Sequence, residues 1–212
     1  FILGLWVAAD GLIYQQFADK PEDFIVDDNW LKAHPIVYGA IGVDFGGNKS
    51  AHAFTFTGFT QDFEYIVTIK EYYKKKRITP KQLEGDFVDF VKRVQRKYNC
   101  YEAYCDSAET TLINGLEAAI IKAGVPIELK NAIKGPINDR IAFYSSIMAQ
   151  GRYKIHESCI NTKEALESAV YDEKKLTEDK RLDDGLMNID SLDAMEYSTE
   201  SIMADIIYIN AA

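Results

Sequence analysis

The chain has 212 residues, of which 47% are hydrophobic, 12% aromatic and 27% charged. That is enough for one sizeable core with a small appendage, and it excludes a disordered, collagen-like or simple coiled-coil chain. Lys and Arg number 24 and Asp and Glu 33, a net charge of −9 that argues against a general nucleic-acid coat because phosphates repel it.

The start, from Phe1 to Ala9, is apolar but has neither a basic leader nor an initiator Met. It reads as part of a longer protein rather than as a signal peptide. Residues 1–35 read as a lead-in arm, punctuated by Lys20-Pro21-Glu22-Asp23 and Asp27-Asp28-Asn29 and ending at Pro35. Residues 36–212 read as the main domain. Residues 36–44 are short, apolar and β-branched, as in a buried strand. A turn over 45–50 leads to strand 51–57, and a turn over 58–62 leads to strand 63–73. Three strands joined by short turns make an antiparallel meander.

The pattern then switches to helices. Thr79 caps and Pro80 opens a helix over 81–98, with Leu83, Phe87, Phe90, Val91 and Val94 on one face. Strand 101–106, helix 109–123 stopped by Gly124, strand 125–129, helix 136–150 stopped by Gly151, and strand 152–156 follow. A helix over 162–175, a charged loop over 174–187 and a last helix over 189–207 complete the order. This predicts an α/β mixed sheet, a three-strand antiparallel meander plus parallel strands, flanked by helices. By analogy the order matches ribonuclease H-like folds. No 18-residue apolar run is present, so no membrane partner is expected. Cys100, Cys105 and Cys159 are odd in number and fit no zinc spacing, so they are expected as free buried thiols in a reducing compartment.

Three acidic residues stand out by position. Asp44 ends the first strand of the meander, Asp106 ends the strand over 101–106, and Asp193 lies early in the last helix, with Asp190 one turn before it. If those two strands are neighbours, their ends converge where open α/β sheets form sites. Facing carboxylates repel unless a cation sits among them, and oxygen donors without His or Cys select Mg²⁺ or Mn²⁺. Two such ions roughly 3.5–4 Å apart are the clamp used for in-line attack on phosphodiesters. Taken singly, Asp44 and Asp106 could be turn or cap residues and Asp190 a first-turn residue. Asp193 sits among apolar neighbours and needs a partner.

Gly42 to Ser50 fails the phosphate-loop pattern because Asn48 stands where Lys is required; Gly46-Gly47 is expected to make a tight turn. His52 and His156 read as structural. The run Lys74-Lys75-Lys76-Arg77 is either a solvated tip or a grip on a DNA backbone, and Lys134 could reach the carboxylate rim. Asp139-Arg140 reads as a local surface pair.

Five segments then occur in order: Leu5 to Tyr14, Ile41-Gly42-Val43-Asp44-Phe45-Gly46-Gly47, Tyr104-Cys105-Asp106-Ser107-Ala108, Ala132-Ile133-Lys134-Gly135-Pro136-Ile137 and Asp190-Ser191-Leu192-Asp193-Ala194-Met195-Glu196-Tyr197. Together they resemble the C-terminal nuclease domain of the large terminase subunit of tailed double-stranded DNA bacteriophages. The resemblance implies a ribonuclease H-like fold and a two-metal-ion endonuclease that cuts concatemeric viral DNA during packaging. It implies Asp44, Asp106 and Asp193 as catalytic metal ligands for two divalent cations, Mg²⁺ or Mn²⁺. Asp190 stands where family members often carry His, and would support the other three. Expected partners are double-stranded DNA, the small terminase subunit, the portal, and an ATPase domain lying outside this chain. The place of action would be the host bacterial cytoplasm, at the procapsid portal, and the isolated domain would be monomeric. Two other readings are an actin-like-fold sugar kinase fragment, from the Gly-rich turn, and a non-catalytic acidic docking module. The net charge adds that this domain alone should hold DNA weakly.

Overall fold

The computed structural model describes residues 11–47, 50–172, 181–182 and 188–208. Its centre is a seven-stranded mixed sheet of β1 (Ile25–Val26), β2 (Tyr38–Asp44), β3 (His52–Phe59), β4 (Ile66–Lys74), β5 (Cys100–Cys105), β6 (Glu128–Asn131) and β7 (Tyr153–His156). Their spatial order is β1-β7-β4-β3-β2-β5-β6. β2, β3 and β4 form the expected antiparallel meander. β5 runs parallel to β2, β6 parallel to β5, β7 parallel to β4 and β1 parallel to β7.

Period-2 alternation divides the sheet into two faces. Ile41, Val43, Phe54, Phe56, Val67 and Ile69 join the core beneath α3 (Pro80–Gln95) and α4 (Thr110–Ala123). The opposite face carries Phe59, Ile66, Tyr153 and Ile155, covered by α1 (Gln15–Asp19), α5 (Ile137–Ala149), α6 (Ile160–Ser168) and α7 (Ile189–Glu200). α3 begins with the expected Thr79 cap, whose hydroxyl accepts from the Gln82 backbone while the Gln82 side chain returns to Thr79. α4 ends at Gly124, whose φ of +61° suits a residue without Cβ.

α7 is enclosed on nearly every side: Ile189, Ser191, Leu192 and all of 194–200 are buried. Its approach to the sheet depends on Gly42. A Cβ there would run into the Ala194 carbonyl oxygen. Gly42→Ala must push two backbones apart, so it is expected to destabilise by about 3 kcal/mol or more. Urea unfolding checks this; a loss below about 0.5 kcal/mol, the range of harmless surface changes, would contradict it.

The boundaries differ from the sequence expectation where local hydrogen bonding overrides pattern. The last helix is two, α7 and α8 (Met203–Tyr208). Ser198 and Thr199 hydroxyls bond back to the Met195 and Glu196 carbonyls just before the break at Ser201. α6 stops at Ser168 because Ala169 turns extended and accepts from the Ile13 backbone N–H at 2.8 Å. β6 starts late, after Pro126, which has no N–H to offer. Residues 61–63, where the pattern predicts the end of a turn and the start of a strand, form a 3-10 turn. Within the lead-in, residues 11–35 contribute α1, β1 and α2 (Asp28–Ala33) and bury Phe17, Phe24 and Leu31. The segments Leu5 to Asp10 and most of 174–187 lie outside the described residues.

Cys100, Cys105 and Cys159 are unpaired and buried, and burial pushes the Cys100 and Cys105 thiols up to about 12. No helix among the described residues is long and apolar enough to cross a membrane.

Candidate functional site

The parallel pairing of β2 with β5 places Val43 opposite Cys105, so the two C-terminal ends converge. Asp44 closes β2, and the Asp106 N–H donates to the Val43 carbonyl at 3.0 Å. α7, lying on Gly42, brings its first turns to the same rim. Asp190 Oδ2 accepts from the Ala51 N–H at 2.8 Å, which ties the start of α7 to the start of β3. Asp44 is 8% exposed. Burial first, and then the charges of Asp193, Asp190 and Asp106, raise its proton affinity well above the usual carboxylate range, while Lys134 opposes them. All four acids singled out in the sequence thus act on one point. Among the described residues the Asp44 carboxylate has no hydrogen bond or ion pair.

Its neighbours are partnered. Asp106 Oδ1 accepts from Lys134 Nζ at 2.7 Å and from the Ala108 N–H at 2.9 Å, so it serves both the turn and the rim. Lys134 reaches the rim as its position suggested, from a left-handed backbone (φ +55°) pinned by Glu200, which accepts from the Lys134 and Gly135 N–H groups at 2.9 and 2.6 Å. Asp193 Oδ1 accepts from Arg181 Nη2 at 2.5 Å and lies 3.6 Å from Arg140 Nη1. Burial raises the Asp193 carboxyl to about 6; the two arginines pull it down, and Glu196 and Asp190 push it up.

Behind Asp193 lies an ionic network that the sequence pattern does not announce. Glu196 is fully buried and takes Arg181 Nη1 at 2.5 Å, Arg140 Nη1 at 3.1 Å and the Tyr14 hydroxyl at 3.1 Å. Arg140 is not half of a surface pair with Asp139. It is 7% exposed, faces the acidic stripe of α7, and stands over the Tyr197 ring at 5.5 Å. The stripe Asp193, Glu196, Glu200 was the available signal: acids on a helix enclosed all round require buried cations.

The rim offers oxygen donors alone, the chemistry of a hard divalent cation. Among the described residues, no three His, Cys, Asp or Glu side chains converge in a metal-holding arrangement. Asp106 and Asp193 are turned toward their cations instead. The observation that fits a cation is Asp44: a buried carboxylate, surrounded by carboxylates and without its own partner.

The run Lys74 to Arg77 divides. Lys74 pairs with Asp86 at 3.1 Å on the α3 side. Lys75, Lys76 and Arg77 are exposed and line, with Gly46, Gly47 and His52, a cleft of about 290 Å³ beside the β2–β3 turn. That turn is no phosphate cradle. The Gly46 N–H donates to His52 Nδ1 and the Gly47 N–H to Ser50 Oγ, and a Cβ at Gly46 would collide with the Ala51 backbone. His156 bonds Ser158 at 2.7 Å, a structural role.

No protein-family model and no curated protein matches the sequence. Solved structures do. The full-length large terminase of a thermophilic bacteriophage superposes with a TM-score of 0.71 at 24% identity, covering 96% of this chain and 47% of that one. The chain therefore spans about half the length of that protein. The large-terminase nuclease domain of bacteriophage SPP1, solved with bound Mn, gives 0.60 at 19% identity, covering 84% of this chain and 96% of that one. The large-terminase nuclease of thermophilic phage G20c, solved with bound magnesium, gives 0.57 at 13% identity over 91% of this chain and 98% of that one. The chain has the fold of large-terminase nuclease domains, a mixed sheet of ribonuclease H-like type.

Proposed function

We propose that this chain is a metal-dependent DNA endonuclease, the cutting part of a phage genome-packaging enzyme. The observation that carries the reading is the rim where Asp44, Asp106, Asp190 and Asp193 meet at the ends of β2, β5 and the start of α7, with Asp44 unpartnered among the described residues. The likeness to nuclease domains solved with manganese and magnesium supports it. Asp44 would be shared between two cations, Asp106 and Asp193 would each hold one side, and Asp190 would support. Divalent cations supply the Lewis acidity for in-line hydrolysis of a phosphodiester.

The chain's own groups prepare that chemistry. Burial and mutual repulsion make the Asp44 carboxylate eager for a cation. Lys134 and Arg181 hold the flanking carboxylates in place as countercharges, to be exchanged when cations enter. Lys134, once released from Asp106, stands within reach of a substrate phosphate. Lys75, Lys76 and Arg77, across the β2–β3 turn, face the flanking backbone, with Lys74 at their base. Products would carry a 3′-hydroxyl and a 5′-phosphate. The whole assembly would include an ATPase domain preceding this part, joined through the arm over 1–35, a small terminase subunit and the portal, in the host bacterial cytoplasm.

The test is nicking of supercoiled plasmid by the purified chain. Conversion to open-circular and linear DNA is expected with Mn²⁺ or Mg²⁺ and none with EDTA. No nicking with any divalent cation would overturn the reading of this chain as a nuclease.

A further inference from the structure

Seven of the chain's 24 basic residues line two adjoining clefts on one side of the molecule. The first is the cleft of Lys75, Lys76 and Arg77 at the rim. The second, of about 510 Å³, lies between the end of β4 and the outer face of α3, and is lined by Tyr72, Asp86, Asp89, Lys74, and the triplet Lys92, Arg93 and Arg96. Lys92, Arg93 and Arg96 are exposed, and among the described residues none of the three makes an ion pair. Two carboxylates sit in this cleft. Asp86 is engaged by the Tyr72 hydroxyl at 2.6 Å and Lys74 at 3.1 Å. Asp89 lies one turn on, and its backbone carbonyl receives Arg93 Nε at 3.3 Å. On a chain of net charge −9, this side is a local inversion of sign.

The two clefts are continuous with the carboxylate rim. His52 pairs with Lys74 across β3 and β4, and Asp44 with Ala53 across β2 and β3, so the basic tip and the rim share one end of the sheet. α3 leaves that end at Pro80 and runs to Gln95. Sixteen residues of helix span about 24 Å at 1.5 Å per residue, the rise of about seven base pairs.

We propose that this basic strip, from Lys75–Arg77 down α3 to Arg96, is a backbone track for duplex DNA extending from the cutting site. It rests on the nuclease reading for its direction but makes a separate claim: the duplex is held by α3, a helix that contributes nothing to the rim. Exposed cations at the end of a helix also complement its dipole, so the two roles must be separated by measurement.

The experiment compares Lys92→Gln/Arg93→Gln/Arg96→Gln with a control that removes equal charge elsewhere, Lys20→Gln/Lys32→Gln/Lys122→Gln. Binding of a labelled duplex of about 30 base pairs is followed by fluorescence anisotropy in EDTA over a range of salt, after circular dichroism shows that each variant is folded. The α3 variant is expected to bind about 10-fold or more weakly than wild type at low salt. Its log–log salt slope should be shallower by about 2 to 3, the counterions no longer released. The control should stay within about twofold to threefold of wild type. An α3 variant that matches the control in affinity and slope overturns the track, as does wild type that fails to bind duplex. Wild type that binds in EDTA yet nicks nothing with Mn²⁺ or Mg²⁺ overturns the nuclease reading and leaves the track standing.

Discussion

Asp44→Asn is expected to lower metal-dependent nicking by about 10³-fold or more, because it removes the carboxylate on which the cation site is centred. The fold should survive. Asp44 is a buried acid whose charge is opposed by burial and by Asp193, Asp190 and Asp106. Its proton affinity is higher folded than unfolded, so the ionised group costs stability at pH values above the ordinary carboxylate range, near 4, and costs nothing once both states are protonated. Asn at this position removes that cost. The variant should therefore unfold at the same or higher urea concentration than wild type at pH 7, with the difference shrinking toward pH 4. A variant that is both inactive and strongly destabilised would make Asp44 a structural residue.

Glu196→Ala has the largest expected effect on stability. It strips Arg181 and Arg140 of their shared buried partner and leaves the Tyr14 hydroxyl without its acceptor. Breaking a buried ion pair from one side costs about 3–5 kcal/mol, since the remaining charge stays desolvated. With two arginines involved, the upper end of that range is expected, and Asp193 should lose its fixed orientation. Glu196→Gln keeps shape and hydrogen-bonding capacity and should recover part of the loss. Equilibrium unfolding checks both. An alanine variant within about 1 kcal/mol of wild type would show that the network is not holding α7.

Sequence order and strand ends are sufficient to find the meander, the parallel return of β5, and Asp44 and Asp106 at converging tips. These features follow from local pattern: apolar alternation, Gly-rich turns, and an acid at the last residue of a buried strand. Lys134 is legible for the same reason, flanking a turn at a strand end. The arginines are not. Arg140 beside Asp139 looks like a surface pair until α7 is laid against it, and Arg181 stands in a charged stretch with no local pattern of its own. Gly42 reads in sequence as one end of a loop motif; its role, admitting the Ala194 carbonyl, exists only in three dimensions. The basic run at 74–77 reads as one patch in sequence, but Lys74 is the last residue of a strand and turns toward α3. The acidity that first argued against nucleic acid proves uneven: carboxylates gather at the rim, and cations gather along α3.

The most direct measurement is the location of Mn²⁺ by anomalous diffraction from a crystal soaked in the ion. Two peaks at the rim are expected, both within bonding distance of the Asp44 carboxylate, with Lys134 and Arg181 displaced from Asp106 and Asp193. Ordered protein with no manganese at Asp44, or with Lys134 and Arg181 still seated and the ion bound elsewhere, would contradict the assignment of this rim as a metal-dependent cutting site.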